Sequence, residues 1–225
     1  MATAAAAAET TTTTTPPRRQ ACRGSCHCGL TQYVVFLRLP HPFSATDPPL
    51  PTDQEVYRCN CSTCTKMNFF HVHPAHPRDD FMLLSPLDPD RELSTYQCFE
   101  KLRKYYFCPT CGVRCLTFGG VGETVALEGD DAVLVGGGGG GEAAEAEEEG
   151  GGGGVPARQV WRAKWDGDKD TTPYVAVNGT TIDPREDFDL RLLTEQKRVQ
   201  YFDGWSDPKD EKDPRWDRPH DRGCY

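Results

Sequence analysis

Seven of the chain's eleven cysteines fall in three short elements: Cys26-His27-Cys28, Cys59-Asn60-Cys61-Ser62-Thr63-Cys64 and Cys108-Pro109-Thr110-Cys111-Gly112. Thiols separated by one or two residues are poorly placed to form a disulfide with each other, whereas they chelate a tetrahedral ion readily. The odd total and the tight spacing therefore argue for metal binding in a reducing compartment rather than for a disulfide framework. In an extended segment Cys26 and Cys28 share one face, and a Cys-x-x-Cys-Gly turn curls its backbone around an ion, with glycine supplying the left-handed conformation after the second ligand. These two elements together offer four thiolates, a closed structural zinc site joining Cys26 and Cys28 to Cys108 and Cys111. Clustered thiolates without haem or iron–sulfur spacing favour zinc over iron.

Cys59, Cys61 and Cys64 make three ligands for a second ion and leave its fourth position open. Three thiolates carry more negative charge than a dication neutralises, so such a zinc is a weak activator of water. It is better suited to holding or orienting a substrate thiol. The alternative is a closed site completed from elsewhere in the chain, which would make both ions structural. Lys66, two residues after Cys64, could meet a substrate carboxylate or stand as a solvated surface lysine. His71 and His73 have strand spacing and could reach the second ion. Cys115 could complete a site or be a small buried residue. Cys22, Cys98 and Cys224 have no partner at metal spacing and read as free thiols. Tyr105, Tyr106 and Phe107 read as strand residues beside the four-thiol site, with a substrate-facing ring as the other option.

The elements that must carry these ligands are short. Thr31–Leu39 is rich in β-branched and aromatic residues and closed by Pro40 and Pro42, a strand signal. Further strands are expected at Glu55–Cys59, Phe69–Val72, Phe81–Leu84, Leu93–Gln97, Lys104–Phe107, Arg114–Phe118, Thr124–Leu127 and Tyr174–Asn178, with a turn at Asn178-Gly179 and one short helix over Asp189–Val199. Many strands and little helix predict a mostly β domain. Residues 1–20, built largely of Ala, Thr and Pro, are expected to be a disordered tail. The domain is expected over 21–204, interrupted by a disordered Gly/Glu-rich insertion at 136–154, and residues 205–225 read as a charged C-terminal tail with Trp205, Trp216 and Tyr225 as anchors.

The net charge of −9 is inflated by five glutamates of that insertion, and no basic stripe points to nucleic acid. The longest N-terminal apolar run, Ala4–Ala8, is too short for a signal-peptide core, and no stretch is long enough to span a bilayer. A cytoplasmic protein, or a nuclear one, is expected.

The order Gly24-x-Cys-x-Cys-Gly29, Cys59-x-Cys-x-x-Cys-x-Lys66, Phe107-Cys-x-x-Cys-Gly112 and Tyr174-Val-Ala-Val-Asn178 ahead of Ile182-Asp183 resembles the glutathione-dependent formaldehyde-activating enzyme family, which includes centromere protein V. The resemblance covers Cys22 to Gly204 apart from the Pro-rich loop His41–Asp53 and the insertion, and the closing Arg218–Tyr225 is similar to the tails of fungal members. Where bacterial members often carry His, this chain has Asn60. The resemblance implies an Mss4-like fold of short antiparallel sheets held by two zinc ions. It implies a structural site at Cys26, Cys28, Cys108 and Cys111, and a catalytic one at Cys59, Cys61 and Cys64. It further implies carbon–sulfur lyase activity that makes or breaks the S-hydroxymethyl adduct of glutathione and formaldehyde. A zinc-stabilised binding module without turnover is the alternative.

Overall fold

The computed structural model describes residues 16–42, 53–127, 131–132, 135, 158–165, 167–168, 172–207, 209 and 213–223. The expected insertion at 136–154, residues 1–15 of the expected tail, most of the Pro-rich loop, Cys224 and Tyr225 lie outside them. The strands are β1 (Arg18–Ser25), β2 (Gln32–Leu39), β3 (Glu55–Cys59), β4 (His71–His73), β5 (Phe81–Ser85), β6 (Ser94–Tyr96), β7 (Lys104–Phe107), β8 (Arg114–Gly119), β9 (Val121–Ala126), β10 (Gln159–Lys164), β11 (Tyr174–Asn178) and β12 (Gln200–Phe202). Short helices accompany them among the described residues, α1 (Ser62–Met67), α2 (Pro89–Glu92) and α3 (Leu190–Glu195). The protein is mostly β, and among the described residues no helix is long and apolar enough to cross a membrane.

Side-chain alternation explains the layering. Along β2, Tyr33, Val35, Leu37 and Leu39 face one apolar cluster, while Val34 and Phe36 face another with Met82, Leu84 and Val160. A strand buried on both faces belongs inside a sheet, and β2 lies between β1 and β5 in the five-stranded order β1-β2-β5-β10-β9. A second sheet has the order β12-β3-β4-β11-β8-β7-β6. The larger cluster joins Val35, Leu37, Phe81 and Leu83 of the first sheet to Val72, Leu116, Val175 and Val177 of the second. Phe118 and Trp161 meet edge to face across this interface with ring centroids 4.9 Å apart. The pairing is antiparallel throughout except for β12, which runs parallel to β3.

Two expected boundaries are corrected. Strand β1 starts inside the stretch read as a disordered tail, because Arg18, Arg19 and Gln20 pair with Leu39, Arg38 and Leu37 of β2. The Arg19 guanidinium lies 2.7 Å from an Asp80 carboxylate oxygen and stacks on Phe36, which gives a polar-looking terminus a fixed place. At the other end, the residues read as a tail return to the domain: Arg215 exchanges backbone hydrogen bonds with Tyr201 of β12, and His220 is buried. Three smaller differences concern local elements. The Asn178-Gly179 turn is a 3-10 turn over Gly179–Thr181 capped by the Asn178 side chain. Helix α3 is shorter than expected: Asp189 caps its start, and Lys197 adopts a left-handed conformation just past its end. Helix α1 stands where no element is expected, as do α2 and β12.

Candidate metal centres

The first cysteine group lies where the two sheets are tied together. Cys26 follows the end of β1, and Cys108 and Cys111 sit in the connection between β7 and β8, so the group bridges one sheet to the other. The sulfurs of Cys26, Cys28, Cys108 and Cys111 lie within 4.8 Å of one another. Cys26 and Cys28 are 3.6 Å apart, and Cys28 and Cys108 are 3.5 Å apart. Four sulfurs placed tetrahedrally at about 2.3 Å from a zinc ion would be separated by about 3.8 Å, so the group is close to coordination size.

Its two halves are built alike. The Thr31 N–H points at Cys26 Sγ from 3.2 Å, and the Cys111 N–H points at Cys108 Sγ from 3.5 Å. Gly29 and Gly112 follow the second cysteine of each half with φ of +79° and +73°. A side chain there would meet no neighbouring atom, so it is the backbone conformation that calls for glycine. Burial opposes ionisation of Cys26, but hydrogen bonds from the Thr31 N–H and the Cys28 thiol outweigh it and lower its pKa.

The second group comes from one continuous stretch. Cys59 ends β3, Cys61 is the N-cap of α1 and Cys64 lies in the first turn of that helix. The Cys61 N–H points at Cys59 Sγ, and the Cys64 N–H at Cys61 Sγ, each from 3.4 Å. Asn68 closes the helix in a left-handed conformation, its N–H on the carbonyls of Cys64 and Thr65. A six-residue helix has little stability of its own, and here both ends are held by such local contacts.

The three sulfurs lie within 4.8 Å of one another, and among the described residues no further His, Cys, Asp or Glu joins that group. Thiols so close cannot all ionise without a cation. Hydrogen bonds from Cys59 and Cys64 lower the pKa of Cys61, whereas the same shared protons raise Cys59 to about 11 and push Cys64 up further. A bound dication would take the place of those protons, and both groups could hold a metal ion.

His71, on β4, is fully buried and held neutral, its pKa lowered to about 3 by that burial. Its Nε2 lies 3.2 Å from Cys64 Sγ and its Nδ1 3.4 Å from the Tyr174 hydroxyl, which in turn bonds the Tyr57 hydroxyl. With the proton on Nε2, the ring donates to the sulfur and accepts from Tyr174. His71 thus reaches a candidate ligand rather than joining the group, a supporting position often taken by residues around metal sites. The ring is clamped between Tyr57, stacked at 4.3 Å, and Phe69 at 4.6 Å.

The three cysteines open onto a pocket of about 450 Å³. Tyr57, Phe99, Tyr105, Tyr174 and Phe202 form aromatic walls, and His71, His73, Glu55, Arg103 and Gly204 complete the lining. The Arg103 guanidinium rests 3.7 Å from the centre of the Tyr174 ring. Burial raises the pKa of Glu55. The volume is that of a small-molecule site.

The seven cysteines thus form the two groups expected from spacing. Lys66 is exposed on α1 and does not line the pocket, where Arg103 is the cation instead. His73 lines the pocket without joining either group. Cys115 is a core residue of β8 and Cys22 a core residue of β1, each with its pKa raised by burial, to about 12 and about 11. Cys98 contacts the Thr63 hydroxyl at 3.3 Å. Of the three neighbouring aromatics, Tyr105 lines the pocket, while the Tyr106 hydroxyl donates to Asp90. Sequence reasoning missed Glu55, Tyr57, Phe99, Arg103 and Phe202 as pocket residues, because they come from separate elements and share no local pattern.

No protein-family model matches the chain, and no curated protein matches it. A crystal structure of a Rhodobacter sphaeroides protein aligns with 76% of this chain and 94% of its own length, at 17% identity and a TM-score of 0.37.

Proposed function

We propose that the chain is a zinc-dependent enzyme of carbon–sulfur lyase type acting on a thiol–aldehyde adduct, with S-hydroxymethylglutathione as the candidate substrate. The observation that carries this reading is the contrast in closure. Four thiols converge on the first site, whereas the second has three and faces a pocket large enough for a small peptide thiol. The donor sets suit zinc, since clustered thiolates are its usual structural environment and also occur at catalytic sites. Cys26, Cys28, Cys108 and Cys111 would hold the structural ion, and Cys59, Cys61 and Cys64 the second. A zinc ion at the second site would supply an electrophilic open position for the sulfur or carbinol oxygen of the adduct.

The chain's own residues bind and orient. The aromatic walls made by Tyr57, Tyr105, Tyr174 and Phe202 strip water from the adduct and restrict its approach to the cysteine face. Arg103 and Glu55 present opposite charges to the same pocket, as a zwitterionic peptide thiol requires. In the forward direction the substrate thiolate adds to the aldehyde carbon, forming the C–S bond as the carbonyl π pair moves to oxygen, which then takes a proton; cleavage is the reverse. Such a step depends on alignment more than on a strong base.

The test is NMR exchange between glutathione, formaldehyde and their adduct, with the two-zinc protein and with Cys61→Ala. Exchange above the buffer rate that disappears in Cys61→Ala is the expected result. A wild-type protein with two zinc ions and no enhancement over buffer would sink the glutathione reading.

A further inference from the structure

Asn60 stands between two of the three clustered cysteines, and its side chain is committed to the far end of the sequence. Its Nδ2 donates to Asp203 Oδ1 at 2.8 Å and to the Asp221 backbone carbonyl at 3.0 Å. Its Oδ1 accepts from the Gly204 N–H at 2.7 Å, and its own backbone N–H donates to the Phe202 carbonyl at 3.2 Å. Asn60 is 4% exposed and Asp203 2%. Asp203 in turn gathers the start of the returning segment, accepting from the N–H groups of Trp205 and Ser206 and, at 2.6 Å, from the Ser206 hydroxyl.

The same segment touches the ligands themselves. A Cβ placed on Gly204 would lie 2.6 Å from Cys59 Sγ and 3.3 Å from Cys61 Cβ, so the backbone there is packed directly on the thiol. Further along, a Cβ on Gly223 would lie 3.7 Å from Asn60 Cβ. Parallel pairing of β12 with β3 brings this segment in, placing Phe202 opposite Cys59. Neighbouring side chains of an extended segment point to opposite sides, so an anchor at Asn60 also sets the direction of Cys59 and Cys61.

We infer that the described residues 203–207 and 213–223 form a positioning strap for the three-cysteine site, with Asn60 and Asp203 as its positioning residues. Metal occupancy of that site and docking of the strap are therefore coupled. The inference rests on the reading that Cys59, Cys61 and Cys64 hold a metal ion. Coupling of this kind is reciprocal: a docked strap tightens metal binding, and bound metal holds the strap down. The four-cysteine site, whose ligands come from other elements, stands outside the coupling.

The direct test is amide hydrogen exchange on the full-length protein loaded with two zinc ions, compared with the Cys64→Ala protein carrying one. Peptides covering Gly204–Ser206 and Asp221 are expected to exchange at least about tenfold faster in the one-ion protein. Peptides covering Cys26–Thr31 and Cys108–Val113 should be unchanged. In parallel, chelator competition should show the second zinc bound about 10–100-fold more weakly in Asn60→Ala and Asp203→Ala, with the first unaffected. Asp203→Asn keeps the acceptor for the Asn60 amide and should recover most of that affinity.

Equal strap exchange in the two proteins, or wild-type affinity for the second zinc in Asn60→Ala, would overturn the inference. Should Asn60→Ala fail to fold, the exchange comparison decides alone. A wild-type protein that binds only one zinc would overturn both this inference and the proposed function, whereas two zinc ions without coupling would overturn this inference only.

Discussion

The two cysteine groups use the same chemistry and differ in where their ligands come from. At the first, two distant segments each bring two thiols, so a bound ion would join two sheets and have no position free. At the second, one strand-to-helix stretch brings three, which line a pocket and are touched by His71 and by the backbone at Gly204. The difference teaches that closure depends on topology: identical residues become a staple when a second segment completes the shell and an open site when it does not. The surroundings follow the same division. Backbone N–H groups and two glycine turns support the first group, whereas the second adds a buried histidine and two linked tyrosines.

The largest effect should come from breaking the staple. Cys108→Ser removes a candidate ligand of the group that lies between the two sheets, beside the apolar cluster that also joins them. The free energy of binding a structural zinc, about 10–16 kcal/mol in small domains, is comparable to a domain's entire stability of about 5–15 kcal/mol. The expected outcome is loss of cooperative thermal unfolding by circular dichroism; a sharp transition retained near the wild-type temperature would erase the distinction between the sites. Cys61→Ala should be milder for the fold and total for the chemistry, leaving one zinc per chain by metal analysis, a cooperative melt, and no adduct exchange.

A smaller effect is expected from His71→Ala, which deletes the hydrogen bond to Cys64. Chelator competition should show the second ion weakened about 10–100-fold and the first unchanged. Equal weakening of both ions would mean that His71 supports the core rather than the site.

The smallest change separates acid effects on the core from acid effects on the metal groups. Burial holds His41 neutral, with its pKa lowered to about 4, and Gln54 donates to its Nδ1. In the unfolded chain an ordinary histidine takes up a proton near pH 6.5. The folded state refuses that proton, so the His41 contribution is fully present above about pH 6.5 and is lost as pH falls towards about 4. His41→Gln should flatten stability across that window in denaturant titrations while leaving zinc content at pH 7 unchanged. A pH dependence identical to wild type would assign the acid loss to groups other than His41, the buried His71 and the cysteine groups among them.

Sequence patterns carried the parts of this account that are local. Seven ligands stood out because chelation needs thiols at short separations, and β2, β3, β7 and β11 because their apolar and β-branched runs end at clear turns. What sequence did not disclose depends on long-range pairing. Strand β12 is three residues in a charged, proline-containing region, and only its parallel contact with β3 makes it a strand. Helix α1 has no periodic apolar face; it forms because Cys61 and Asn68 cap it. The pocket is assembled from side chains on separate elements, so Arg103 and Glu55 carry no signal of shared purpose. Asn60 is legible only as a departure from a resembled pattern, and its contacts with Asp203, Gly204 and Asp221 supply the physical role.

The central claim is that the second site keeps an open position while the first does not. Zinc K-edge X-ray absorption on the two-zinc protein, before and after addition of glutathione, addresses it most directly. Seven thiolates shared by two ions predict an average of about three and a half sulfurs per zinc, with a lighter atom completing the shell, rising to about four when a substrate thiol enters. An average of four sulfurs before the thiol is added, or a spectrum that its addition leaves unchanged, would contradict the account.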